Sequence, residues 1–222
     1  MFVQNSNLKN KKISDIVGND YRYAKALDSF GVDFYKYSDY QIEDICKIKG
    51  FKKESLIGYR ISLDESFDLE HDSLKSCPLN LVVEYLKHNH NYFIKNKLPY
   101  IKNLIQNLDT SNINYKFSDD LKFIFPSFYE EFTEHILEEE AIIFQYINKL
   151  FYADHNSQNL SLLFFSMKEI SLKNIAEEHL NEDSEMSGIR GLTKHYSLNN
   201  IKSLHLKVIF QELKEFDKEL EI

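Results

Sequence analysis

The stretch LKFIFPSFYEEFTEHILEEEAIIFQYINKL, residues 121–150, decides how this chain folds and where its chemistry lies. Read as one helix, alternating steps of three and four pick out Leu121, Phe125, Phe128, Phe132, His135, Glu139, Ile142, Tyr146 and Leu150. A stripe of that period faces a core. His135 and Glu139 stand in it where apolar side chains belong, and residues four apart on a helix lie one above the other. Burying a carboxylate costs several kcal/mol, on the order of a whole cavity mutation, unless something pairs with it. A basic partner, a hydrogen-bond network or a metal ion would each supply that pairing.

Composition frames the rest. With 43% apolar residues, 17 Phe and 14 Tyr, the chain has ample material for a packed core, and only 6 Gly and 3 Pro favour helices over a turn-rich β fold. A formal charge of −8 argues against nucleic acid as partner, because phosphate recognition needs a clustered basic surface. Lys9, Lys11 and Lys12 form only a short basic run. Cys46 and Cys77 make no disulfide framework and no C-x-x-C, residues 1–20 lack the apolar run of a signal peptide, and no apolar stretch is long enough to span a bilayer. A cytoplasmic location with no membrane partner is the expectation.

Along the chain, residues 1–62 read as a small helical N-terminal domain. Ile13, Ile16 and Val17 open it, a helix over 19–30 is closed by Gly31, Ser38 with Gln41 caps a helix ending at Gly50, and a short helix follows over about 53–60. Residues 63–78, polar, acidic and closed by Pro78, read as a linker. From 79 to 222 the pattern is four long amphipathic helices, over about 79–108, 118–150, 168–193 and from 198 onward, with Pro126 near the start of the second or kinking it. The expected fold is all-α, an up-down four-helix bundle behind a small helical domain, and such bundles build metal sites from inward side chains.

Each of the first three helices offers a histidine. His90 lies on the stripe Val83, Leu86, His90, Ile94, Leu98, Ile101, Ile105, and His88 on a neighbouring one with Leu81, Tyr85 and Tyr92. His179 lies with Leu172, Ile175 and Met186. A single core histidine is commonly a hydrogen-bonded structural residue, and Glu139 belongs to a run of three glutamates. The coincidence across three helices favours metal. His90, His135, His179 and Glu139, with His88 the alternative to His90, suit iron, manganese or zinc. His71, His155, His195 and His205 fall in polar or outward positions and are assigned no role. No nucleotide-binding or hydrolase motif is present.

These residues resemble the di-iron family for repair of iron centres, the ScdA family. HILEEEAIIF (135–144) is similar to its helix-two motif and HLNEDSEMSGIRGLT (179–193) to its helix-three motif, while Leu98-Pro99 fits helix one. ISDIV (13–17) and AKALDSFGVDF (24–34) resemble the small domain that precedes its hemerythrin-like bundle. The resemblance implies a non-haem di-iron centre held terminally by His90, His135 and His179 and bridged by Glu139. It implies repair of iron–sulfur clusters damaged by nitric oxide or oxidative stress, with damaged iron–sulfur proteins as partners.

The chain departs from the family pattern in three ways. Tyr35 and Lys36 stand where the family carries a Cys pair, and Asn91 occupies the ungapped position of the helix-one ligand. The stripe of the last helix, Leu206, Ile209, Leu213, Phe216, Leu220, takes its next step just beyond Ile222, where the family's final His and Glu ligands belong. The expectation is a fourth helix cut short, an incomplete iron site, and a homodimer as one assembly that would cover the groove so left. Two alternatives follow: a metal, dioxygen or nitric oxide binding and sensing module without catalysis, and a metal-free structural bundle.

Overall fold

The computed structural model describes residues 8, 10–63, 74–109, 115–156, 186–199 and 201–220. They are all-helical, with one isolated antiparallel bridge between Lys12 and Gln41 and no strand among them. None of the described helices is long and apolar enough to cross a membrane. The residues fall into two compact units, one drawn from 1–68 and 197–215, the other from 69–196 and 216–222.

The first unit contains α1 (Ile13–Asn19), α2 (Arg22–Ser29), α3 (Ile42–Lys49) and α4 (Lys53–Ser62). Ile13, Ile16 and Val17 are buried as their spacing predicts, beside Ala24, Leu27, Ile42, Ile45 and Leu56. The single helix expected over 19–30 is broken at Asp20, whose backbone is extended. Gly31 and Gly50 do end helices, at φ +69° and +74°, left-handed values that cost glycine nothing. The expected capping by Ser38 and Gln41 is absent. Gln41 makes no side-chain cap, and the start of α3 is held instead by the bridge, where Ile13 N–H donates to Tyr40 O at 2.9 Å and Ile42 N–H to Lys11 O at 3.1 Å.

The break at Asp20 has an electrostatic clasp. Its carboxylate accepts from Arg22 Nε at 2.8 Å and from Arg60 Nε at 2.5 Å, tying α2 to α4. Burial pushes this carboxyl up, but hydrogen bonds and charge from Arg22 and Arg60 prevail and hold it below its usual range. A carboxylate with a lowered folded-state value stabilises fully above its unfolded value of about 3.9, and that stabilisation is lost as pH falls through the folded value. Asp20→Asn is therefore expected to cost roughly 1–3 kcal/mol at neutral pH and to flatten the acid side of the stability profile below about pH 4. Thermal melts of both proteins across that range check this, and an unchanged acid-side slope would refute it.

The second unit begins with α5 (Leu79–Tyr92), which passes through a π-helical stretch (Phe93–Lys97) into α6 (Leu98–Gln106). Leu98 N–H reaches back five residues to Phe93 O, and Pro99, lacking an N–H, interrupts the regular ladder at the same point. Next come α7 (Tyr115–Glu138), with Pro126 inside it, a second π stretch (Glu139–Phe144) and α8 (Gln145–Asn156). A short α9 (Ser187–Leu192) precedes α10 (Leu204–Leu220), whose residues to 215 belong to the first unit and from 216 to the second. The start expected near 198 is delayed to 204. Lys194, His195 and Tyr196 occupy the left-handed region in succession, at φ 50°, 54° and 59°. That turn is held by His195 N–H donating to Arg190 O and by Tyr196 O–H donating to Asp217, each at 2.8 Å.

The core of the second unit is aromatic. Phe216 meets Phe93, Phe128 and Phe132 with ring centroids 5.3, 6.0 and 5.4 Å apart, all edge-on. Asp217 accepts a bidentate pair from Arg190, and buried Lys97 meets Glu219 at 3.2 Å.

Candidate metal centre

The predicted stripe of 121–150 is buried at Leu121, Phe125, Phe128, Phe132 and Tyr146, but two steps differ: Ile136 is buried where the stripe names His135, whose side chain is 27% exposed, and Phe144 is buried where it names Ile142, which is half exposed. The first difference lies in the regular helix and the second in the π stretch. Each of its turns takes more residues than an α turn, so the inward face slips along the chain after Glu139. Glu139 and Glu140, the first two residues of that stretch, both reach one imidazole of α5.

His90 is that imidazole. Its Nε2 lies 3.4 Å from Glu139 Oε2, and its Nδ1 lies 3.1 Å from Glu140 Oε1. The ring is buried and stacks on Phe144, with centroids 5.3 Å apart and planes 12° from parallel. On the other side, Glu139 Oε1 lies 3.5 Å from Nε2 of His135, one helical turn earlier. One carboxylate therefore presents a separate oxygen to each of two imidazoles. His88 is exposed and has no place in this cluster, and Asn91 is exposed with its side-chain N–H donating to Lys87 O at 3.2 Å. His179, with Leu172 and Ile175, lies outside the described residues, as do His71 and most of the linker over 63–78. Of the histidines assigned no role, His195 is exposed as expected. His205 is not outward: it is buried in the first unit, stacked on Tyr35 at 4.2 Å.

All three contacts are ion-pair distances between an imidazole and a carboxylate, and they also match the spacing of donors around a metal. Both Nε2···O separations exceed the usual range for an N–H···O bond, about 2.7–3.2 Å. Nitrogen and oxygen donors hold a transition metal at about 2.0–2.2 Å, which sets two donors of one ion about 2.8–3.6 Å apart. The donor set fits a bridging carboxylate with one imidazole on each side. Among the described residues, no group of three or more His, Cys, Asp or Glu side chains surrounds a single ion position.

No protein-family model matches this sequence, and no curated protein matches it either.

Glu140 is the residue that reading the stripe missed. It stood in a run of three glutamates of which the stripe names only one, and its carboxylate reaches His90 beside Glu139.

Proposed function

We propose that this chain is a hemerythrin-like di-iron protein that repairs iron–sulfur clusters damaged by nitric oxide or oxidants. The observation that carries the reading is the Glu139 carboxylate, with one oxygen toward His90 and the other toward His135. His90 and His135 would each hold one iron, Glu139 would bridge them, and His179 is the proposed third imidazole. Bound iron would supply redox chemistry and an open position for nitric oxide or dioxygen. The residues themselves bind and orient: Phe144 covers one face of the His90 ring and keeps water from it. Long amphipathic helices sharing a core of Phe93, Phe128, Phe132 and Phe216 support an up-down four-helix bundle as the frame. A cytoplasmic setting and damaged iron–sulfur proteins as clients belong to the same proposal.

The test is elemental analysis after anaerobic iron loading, followed by recovery of a nitric-oxide-treated iron–sulfur enzyme. The wild-type chain is expected to hold about two irons, as carboxylate-bridged bundles do, and to restore the enzyme. His135→Ala should do neither. A folded wild-type chain that takes up no iron would refute the proposal.

One observation favours a second reading, a metal or nitric oxide sensing module. Tyr35 and Lys36 stand where the resembling family carries thiols, and the Tyr35 ring is packed on His205 with its O–H donating to Asp33 at 3.1 Å. Burial with the neighbouring Asp33 charge pushes that hydroxyl well above its ordinary range, so it offers no nucleophile in place of the thiol. Stoichiometric nitric oxide binding without client recovery would decide for the sensor.

A further inference from the structure

The run Glu138-Glu139-Glu140 divides its labour. Glu138 is exposed. Glu139 faces both imidazoles, and Glu140 touches His90 on the opposite edge of the ring from Glu139. A carboxylate accepts, so the contact at 3.1 Å, the shorter of the two that His90 makes, is a hydrogen bond when Nδ1 carries the proton. The Phe144 stack holds the plane of the ring, and the Nδ1 contact selects between the two orientations related by a flip about Cβ–Cγ. With Nδ1 committed to Glu140, Nε2 is the nitrogen turned toward Glu139.

We propose that Glu140 is the positioning residue of this centre: it holds the Nδ1 proton of His90 and thereby presents Nε2 as the donor on the Glu139 side. The inference rests on the metal-centre reading for its consequence, although the Glu140–His90 bond itself is a property of the metal-free protein. Hydrogen-bonded carboxylates behind a ligating imidazole fix its tautomer and raise its basicity, and losing one weakens metal affinity by about 10–100-fold. The side chain of Glu140 is 31% exposed, so its role is not to fill the core.

Two variants separate positioning from packing. Glu140→Gln keeps an amide oxygen that accepts from Nδ1, whereas Glu140→Leu keeps the bulk and removes the acceptor. In metal-free protein with labelled histidine, the Nδ1–H proton of His90 should be seen by NMR as slowly exchanging in the wild type and in Glu140→Gln. It should be lost in Glu140→Leu. Anaerobic Fe(II) titration should then show Glu140→Leu weaker by about 10–100-fold and Glu140→Gln by less than about tenfold. Circular dichroism confirms that both variants fold. A Nδ1 proton equally protected in Glu140→Leu overturns the inference, as does iron affinity that follows side-chain bulk rather than the acceptor. If the NMR signals behave as stated while no protein binds iron, the Glu140–His90 assignment stands and the metal-centre reading falls.

Discussion

Glu139→Ala is expected to leave the protein folded and unable to hold iron. Each oxygen of this carboxylate faces a different imidazole, His90 at 3.4 Å and His135 at 3.5 Å, so one substitution removes a donor from both sides of the centre. The loss should exceed the roughly 10–100-fold that follows removal of a supporting partner. Stability of the metal-free protein should scarcely change. The side chain is 17% exposed, and its burial cost is close to what its two imidazole neighbours return. The two effects separate in thermal melts. Iron at about a hundred times its dissociation constant stabilises a folded protein by about 2.7 kcal/mol, a rise of roughly 5–10 °C for a chain of this size. The wild type should show that rise and Glu139→Ala should not, while their metal-free midpoints agree within about 3 °C. Glu138→Ala, at an exposed position of the same run, serves as control and should behave as wild type. Retention of the iron-dependent rise in Glu139→Ala would remove the bridging carboxylate from the argument.

Helical periodicity carried the sequence reading far and failed near the candidate site. From Leu121 to Phe132 the three-four spacing names the buried face, and on α10 it names Leu206, Ile209, Leu213 and Phe216, but at the step to His135 it is Ile136 that is buried. It singled out His90 above His88 for the same reason, an apolar stripe on one side of the helix. Past Glu139 the rule misassigns Ile142, because a π turn follows neither a seven-residue nor an eleven-residue repeat. Nothing in EEAIIF announces that turn, and the second carboxylate at His90 lies off the stripe. Turn chemistry was legible where a glycine enforces it, at Gly31 and Gly50, and illegible where three ordinary residues take left-handed values, at Lys194, His195 and Tyr196. Their conformation is imposed by partners distant in sequence, such as Asp217. The same holds for Asp20 with Arg60 and Lys97 with Glu219, pairings between segments far apart that no local pattern encodes. Lys97 is the clearest case: its type predicts a solvated position, and an acid from the last helix permits its burial.

Phe216→Ala should be the most damaging single change in the second unit. The ring is fully buried and makes edge-on contacts with Phe93, Phe128 and Phe132, which come from the first π stretch and from α7. Truncation of such a ring costs about 3–5 kcal/mol, part transfer and part cavity, because three aromatic neighbours held in staggered contact cannot all collapse into the void. At roughly 2–4 °C per kcal/mol for a chain of this length, the melting midpoint should fall by roughly 6–20 °C. Phe216→Leu, which keeps most of the volume, should cost much less. The effect should also reach the candidate centre. Phe93 follows His90 by three residues and Phe132 precedes His135 by three, so two of the three partners of Phe216 lie one turn from an imidazole. A cavity between those rings loosens the facing of His90 against His135, and Phe216→Ala should bind iron more weakly even at a temperature where it remains folded. Melts and anaerobic iron titration of the two variants, run below the lower midpoint, measure both effects. A midpoint within about 2 °C of wild type would mean that this ring does not fill the core, and undiminished iron affinity would mean that the aromatic core does not set the spacing of the imidazoles.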